Sequence, residues 1–209
     1  MKGELRVIWC VNYQTLPMNL VIIGNIESGK EQLIAALASR KGQDSWRFYD
    51  IDQLRARYSD ATYAGDVYCW SLLLRAAQHE IRGVFSFYGD EPYADIFDKA
   101  AALSIARGVA PWLGIRLRSS IEAIGGRITS DTTVPFPHAA SISNTQKLIL
   151  AEDLDNFHVT STRDLKVPYP MIEVDTSKYE LGSALLLRDV LRVVEDYQER
   201  LSLQTKVVS

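Results

Sequence analysis

Residues 21–37 read VIIGNIESGKEQLIAAL, and this stretch constrains the chain more than any other. The apolar run Leu20-Val21-Ile22-Ile23 ends at Gly24, and Asn25, Ile26, Glu27 and Ser28 lead to Gly29-Lys30. The pattern then turns helical, with Leu33, Ile34, Leu37 and Ala38 on one face. Strand, loop and helix therefore enclose G-x-x-x-x-G-K, the spacing of a phosphate-binding P-loop. Glycines let the backbone turn its N–H groups inward into an anion-binding nest. A helix starting near Gly29 adds unpaired donors and the positive end of its dipole. Lys30 brings a mobile positive charge for the outer phosphates. The candidate nucleotide-binding set is thus Gly24, Asn25, Ile26, Glu27, Ser28, Gly29, Lys30 and Glu31.

Glu31 departs from the pattern, which wants a Ser or Thr hydroxyl for Mg²⁺ at this position. A carboxylate can hold the metal itself, but it is longer and carries negative charge toward phosphates. Two readings stay open, an altered metal site or a weakened one.

The 209 residues, 47% hydrophobic, suit one domain with a sizeable core, here taken as 1–209 with an N-terminal extension at 1–17. A net charge of −3 gives no bulk drive toward nucleic acid or anionic membrane. Cys10 and Cys69 sit in apolar surroundings without C-x-x-C spacing and read as buried free thiols. His79, His138 and His158 form no metal-ligand pattern. No apolar run approaches the roughly 18 to 20 residues of a membrane span. Glu4, Arg6, Asn12 and Gln14 interrupt any signal-peptide core. The expectation is a soluble, cytoplasmic protein.

Residues 4–13, rich in Val, Ile, Trp and Tyr, read as an extra edge strand that could pair between subunits of a homo-oligomer. A strand at 19–23 and a helix at 29–41 follow, stopped by Lys41-Gly42-Gln43-Asp44. A second strand, 46–51, runs into Asp52-Gln53-Leu54-Arg55. Ligands in open α/β sheets sit beyond the carboxyl ends of strands, which puts Asp52 and Arg55 near the phosphate loop. The plain alternative is a helix-capping Asp with a solvated Arg.

A loop is expected over 58–65 and a helix over 67–81, apolar nearly all round and so well buried. A third strand, 84–88, meets Gly89-Asp90-Glu91-Pro92. Asp90 and Glu91 are candidates for a metal-site carboxylate, and a plain turn is the rival reading. A helix at 95–107 should turn Ile96, Phe97, Ala100 and Leu103 inward. A fourth strand is expected at 110–117, then a short helix at 118–124 ended by Gly125-Gly126-Arg127. The polar stretch 128–143, with Pro135 and Pro137, reads as a long functional loop. A helix at 144–156, a fifth strand at 171–176 and a last helix at 181–201 complete the chain. Strands alternating with helices predict a doubly wound, five-stranded parallel sheet with helices on both faces.

In the order of these parts the chain resembles the P-loop kinases, most closely the polynucleotide kinase branch and its small-molecule relatives. GNIESGK at 24–30, Asp52 with Arg55, Gly126-Arg127 before a loop, and IEVDTS at 172–177 carry the likeness. The resemblance implies ATP and Mg²⁺ as cofactors and a lid near 125–165. It implies that Lys30 binds the outer phosphates, Asp52 acts as base, and Arg55, with Asp90, meets the acceptor. It further implies that Arg127, with Arg163, neutralises the transferring phosphoryl group; Glu31, where the family has a hydroxyl, and Asp90, just past the third strand, are the candidate metal ligands. Such kinases more often place an Asp directly at the end of the third strand, where this chain has FYGDE, and residues 128–143 contain no arginine.

Two functions follow. One is an ATP-dependent kinase acting on a hydroxyl of a small molecule or nucleic-acid end. The other is a degenerate, non-catalytic P-loop domain serving as an interaction module. A GTPase would want N-K-x-D, which the chain lacks. Arg116, Arg118 and Arg127 favour a nucleic-acid acceptor, although Arg116 and Arg118 alternate along a strand and could simply share a solvent face.

Overall fold

A computed structural model describes residues 17–39, 46–60, 62–130, 143–160, 166–180 and 183–207. The expected strand at 4–13, and any subunit pairing through it, lies outside these residues. So do Cys10, His138, Arg163, the helix stop at 41–44 and most of the 128–143 loop.

Five strands form one parallel sheet: β1 Asn19–Gly24, β2 Arg47–Asp50, β3 Gly83–Phe87, β4 Trp112–Arg118 and β5 Met171–Asp175, in the order β2-β3-β1-β4-β5. β1 pairs Ile23 with Phe87 on one side and with Arg116 on the other, so it is the central strand. Every residue of β1 and β3 is buried, which is why both read as continuous apolar runs. The helices are α1 Lys30–Ser39, α2 Ile51–Tyr58, α3 Tyr63–His79, α4 Ala94–Ala106, α5 Ile121–Ser130, α6 Asn144–Thr160 and α7 Ala184–Val207.

The two-residue alternation of the strands sorts the core into two layers. Val21, Ile23, Phe85 and Phe87 pack on α3 and α4 through Trp70, Leu73 and Phe97. Leu20, Ile22 and Val84 pack on α1 and α7 through Leu33, Leu37, Leu186, Val190 and Val194. Phe85 stacks between Tyr49 at 5.3 Å and Trp112 at 5.2 Å, and Trp112 stacks on Tyr169 at 5.9 Å. This row of rings ties the strands together across one sheet face. Among the described residues no helix is long and apolar enough to cross a membrane. Cys69 is a buried free thiol, as its surroundings in the sequence suggest.

Four expectations need correcting. α3 begins at Tyr63, inside the expected loop, because Thr62 caps it by accepting from the Gly65 N–H at 3.1 Å. It is not buried all round: Cys69, Trp70, Leu73 and Ala77 face inward, while Val67 and Tyr68 are exposed. α4 turns Ile96 and Leu103 outward and buries Phe97 together with Ala94, Ala100 and Ala101, and the three alanines allow close approach to α3. α5 does not stop at Gly125-Gly126 but runs to Ser130, because Ile124 and Ile128 on either side of the pair bury against Ala151 of α6. Arg127 is therefore a helical residue rather than the start of a loop.

Candidate active site

The carboxyl ends of β1, β2 and β3 converge on the P-loop. Glu27 at φ +52° and Gly29 at φ +96° reverse the chain within the loop, and α1 starts at Lys30. Left-handed residues of this kind turn successive N–H groups to one side. Gly24 is required by space: a Cβ there would lie 2.6 Å from the Leu117 carbonyl oxygen and from Ser28 Oγ. Ser28 Oγ is buried without a hydrogen-bond partner among the described residues.

Three further residues hold the loop. Asn25 accepts from the Ile26 N–H through Oδ1 and donates through Nδ2 to the Ala151 carbonyl of α6, both at 2.7 Å. Ile26 buries among Tyr88, Leu150 and Leu154. Arg127 reaches over from α5 and donates to the carbonyls of Glu27 (2.8 Å), Thr176 (2.6 Å) and Tyr179 (3.0 Å) and to Ser119 Oγ (2.7 Å). The guanidinium binds the P-loop to the ends of β4 and β5.

Lys30 is buried, and its Nζ donates to the carbonyls of Gly24 and Asn25, both at 2.7 Å. An ammonium has three donors, so one remains beyond these two. Burial lowers its pKa, against the pull of Asp52, Asp50 and Glu91. Its Nζ also lies 4.0 Å from the centroid of the Tyr88 ring. The Tyr88 hydroxyl donates to Asp52 Oδ2 at 2.8 Å.

The structure divides the two acids at the end of β2. Asp50 is the N-cap of α2, accepting from the Gln53 N–H at 2.9 Å, so the capping role falls to it and not to Asp52. Asp52 is buried in the first turn of α2. Burial and then repulsion from Asp50 raise its pKa, while the Tyr88 hydrogen bond, Lys30 and Arg55 oppose the rise. Arg55 serves two carboxylates, Asp66 at 2.6 Å and Asp52 at 3.4 Å.

Glu31 is exposed at the start of α1, yet desolvation and then Asp50, with Asp52 and Glu27, push its carboxyl to about 7 against the pull of Lys30. Asp90 is exposed by area as well, and partial desolvation holds its carboxyl above the ordinary value. Glu91 accepts from the N–H groups of Tyr88 and Gly89, both at 2.6 Å, so it locks the β3–α4 turn. Among the described residues no group of three or more His, Cys, Asp or Glu side chains is arranged to hold a metal ion.

Asp90 and Glu91 also form one wall of an open cleft of about 580 Å³, lined in addition by Asp95, Asp98, Phe157 and Lys166. On the other side of the P-loop, Arg116 and Arg118 line a small cavity of about 40 Å³ with Asp155 and His158. Arg118 pairs with Glu173 at 3.4 Å.

Lys30, Asp52 and Arg55 thus come together as the sequence suggests, and Glu31 and Asp90 stand at the rim. Sequence reasoning missed Tyr88, Asp50 and Asp66 as contributors to this geometry, and it placed Asn25 in the loop without its bond to α6. For Tyr88 a signal existed: it fills the end of β3, where an Asp is more usual in the resembled family.

No family model and no curated protein matches the chain. Among solved structures it is similar to a gluconokinase from Sinorhizobium meliloti 1021, with a TM-score of 0.56 at 18% identity over 91% of this chain and 99% of that one. It is also similar to a deoxyadenosine kinase from M. mycoides with bound dATP, with a TM-score of 0.52 at 13% identity over 85% of this chain and all of that one. The fold is that of the P-loop kinases. Within this fold the central strand β1 leads into the loop at 24–30. Identities this low carry the fold and no substrate.

Proposed function

We propose that the chain is an ATP-dependent kinase that phosphorylates a hydroxyl of a small molecule. The observation that supports it best is the placement of the P-loop lysine and a buried carboxylate, Lys30 and Asp52, on either side of one side chain, Tyr88. Bound MgATP would supply the γ-phosphoryl group and the leaving ADP. The loop amides and the third Lys30 donor would hold the β- and γ-phosphate oxygens. Asp52, its pKa raised toward the range useful to a base, would orient the acceptor hydroxyl and take its proton.

The residues present fit a metal ion in a limited way. Burial, and then the nearby charges of Asp50, Asp52 and Glu27, raise the Glu31 pKa, and a divalent cation would offset both. Glu31 stands in the hydroxyl's place and would be one protein ligand, with Asp90 facing the site from the β3–α4 turn and nucleotide oxygens completing the shell.

The acceptor side favours a neutral or cationic hydroxyl compound over a phosphorylated nucleic-acid end, the polynucleotide-kinase alternative. Its guanidinium, Arg55, already serves Asp52 and Asp66, and the adjoining cleft carries Asp90, Glu91, Asp95 and Asp98 against Lys99 and Lys166. An anionic group would enter a field of its own sign.

The degenerate module is the second reading, supported by the loss of both customary metal ligands to Glu31 and Tyr88. Calorimetry with MgATP on the wild type, Lys30→Met and Glu31→Thr separates the two. Kinase function expects binding by the wild type and at least a ten-fold loss in Lys30→Met. Binding only by Glu31→Thr would establish a retired site. ADP release with neutral, cationic and anionic hydroxyl compounds then tests the acceptor class.

A further inference from the structure

We propose that Tyr88 is a positioning residue of this site, setting Lys30 with its ring and Asp52 with its hydroxyl; the role rests on the kinase reading above. Tyr88 is the first residue beyond β3, and its place is fixed from both ends. Behind it, Glu91 holds the N–H groups of Tyr88 and Gly89, and Gly89 takes φ +103°, a turn few other residues would tolerate. In front, the ring is buried against Ile26 of the P-loop and Leu154 of α6. A side chain held in this way has little rotamer freedom, which is what precise support of a reacting group requires.

The two contacts of Tyr88 differ in chemistry. The ring face lies 4.0 Å from Lys30 Nζ and attracts the ammonium through its quadrupole. Together with the Gly24 and Asn25 carbonyls the ring fixes where Nζ lies and leaves its third donor available. The hydroxyl bonds Asp52 Oδ2, while Arg55 attends Oδ1 at the longer distance of 3.4 Å. Tyr88 makes the shorter of these two contacts, so it contributes more to the direction of the carboxylate. One side chain thereby sets both the group for the phosphate donor and the group for the acceptor hydroxyl.

Substitution separates the contacts. Tyr88→Phe keeps the ring and removes the bond to Asp52. MgATP affinity by calorimetry should stay within about 2-fold of the wild type. Turnover of MgATP, with water or a hydroxyl-compound panel as acceptor, should fall about 10-fold or more with KM for ATP unchanged. Tyr88→Leu removes the ring too and should weaken MgATP binding by about 5-fold. In an Asp52→Asn background Tyr88→Phe should cost nothing further, an outcome a merely structural tyrosine would not produce.

Thermal melts of each variant exclude misfolding, and Tyr88→Phe carries the test if Tyr88→Leu does not fold. Wild-type turnover in Tyr88→Phe, or an equal cost with and without Asp52, overturns the inference and leaves the kinase reading standing. A wild type that binds no MgATP, or binds it without any turnover, overturns both.

Discussion

Arg127 Nη1 donates to the carbonyl of Glu27 at 2.8 Å, so a helix one hundred residues downstream holds the one non-glycine residue of the P-loop with positive φ. The same guanidinium bonds Thr176 and Tyr179 on the β5–α7 connection. Burial lowers its pKa, the Glu27 and Asp175 carboxylates oppose the fall, and four oxygen acceptors take its N–H groups. The resemblance casts Arg127 as a lid arginine for the transferring phosphoryl group; its position makes it a clamp.

The clamp has a measurable consequence. Arg127→Ala leaves several carbonyls without donors and should cost about 2–4 kcal/mol of stability, read as a lower urea midpoint. Arg127→Lys, a single donor centre in place of a fork, should recover less than half of the loss. An unchanged midpoint in Arg127→Ala would return the residue to the lid role.

Gly24 should not accept even one methyl group. The Leu117 carbonyl 2.6 Å from its Cβ position belongs to β4, the strand paired with β1, and cannot withdraw cheaply. Gly24→Ala is expected to destabilise the protein by about 1–3 kcal/mol and to weaken phosphate binding with it. Chemical unfolding, with calorimetry on the folded fraction, checks both.

The Glu31 carboxyl titrates from 4.5 when free to about 7 in the fold. The folded state thus holds more protons than the unfolded state between these values, and stability falls as pH rises through that window. Asp52, Asp90 and Glu91 are raised as well and act in the same direction. Melting curves from pH 4.5 to 8 should show Glu31→Gln gaining over the wild type toward pH 8 and little near pH 4.5. Mg²⁺ should narrow the difference if Glu31 is a ligand. A constant offset across the range would refute the raised pKa.

Asp52→Asn distinguishes a reacting carboxylate from a structural one. The amide keeps an oxygen for the Tyr88 hydroxyl and removes a buried charge that repels Asp50. Stability at pH 8 should hold or rise, while turnover drops by about 100-fold to 10,000-fold. Equal losses in both would mean that Asp52 serves packing alone.

Much of the fold was legible because parallel strands buried on both faces must be apolar along their whole length. LVII before Gly24 and VFSF before Tyr88 could not be mistaken for surface. Helix faces were less legible. In α4 the expected inward set was Ile96, Phe97, Ala100 and Leu103; Phe97 and Ala100 are buried, but Ala94 and Ala101 take the places of Ile96 and Leu103 against the closely packed partner helix. In α5 two glycines looked like a stop, and burial of Ile124 and Ile128 outweighed a helix propensity of about 1 kcal/mol per glycine. Of the site, Lys30, Asp52 and Arg55 were visible from their order along the chain, whereas Arg127 was visible as a residue and its clamp was not.

The sequence by itself determined the glycine-spaced loop between strand and helix, the parallel sheet and the end of the strands at which Lys30, Asp52 and Arg55 gather. Each follows from short-range facts: glycine spacing, apolar runs and the alternation of strand with helix. Only the tertiary structure decided what each charged group is paired with. Arg127 reaches Glu27 across one hundred residues, Tyr88 reaches Asp52 across thirty-six, and Asn25 reaches Ala151 across one hundred and twenty-six. Contacts of that separation leave no periodic trace in the chain, because a hydrogen bond needs two particular atoms within about 3 Å and says nothing of the residues between them.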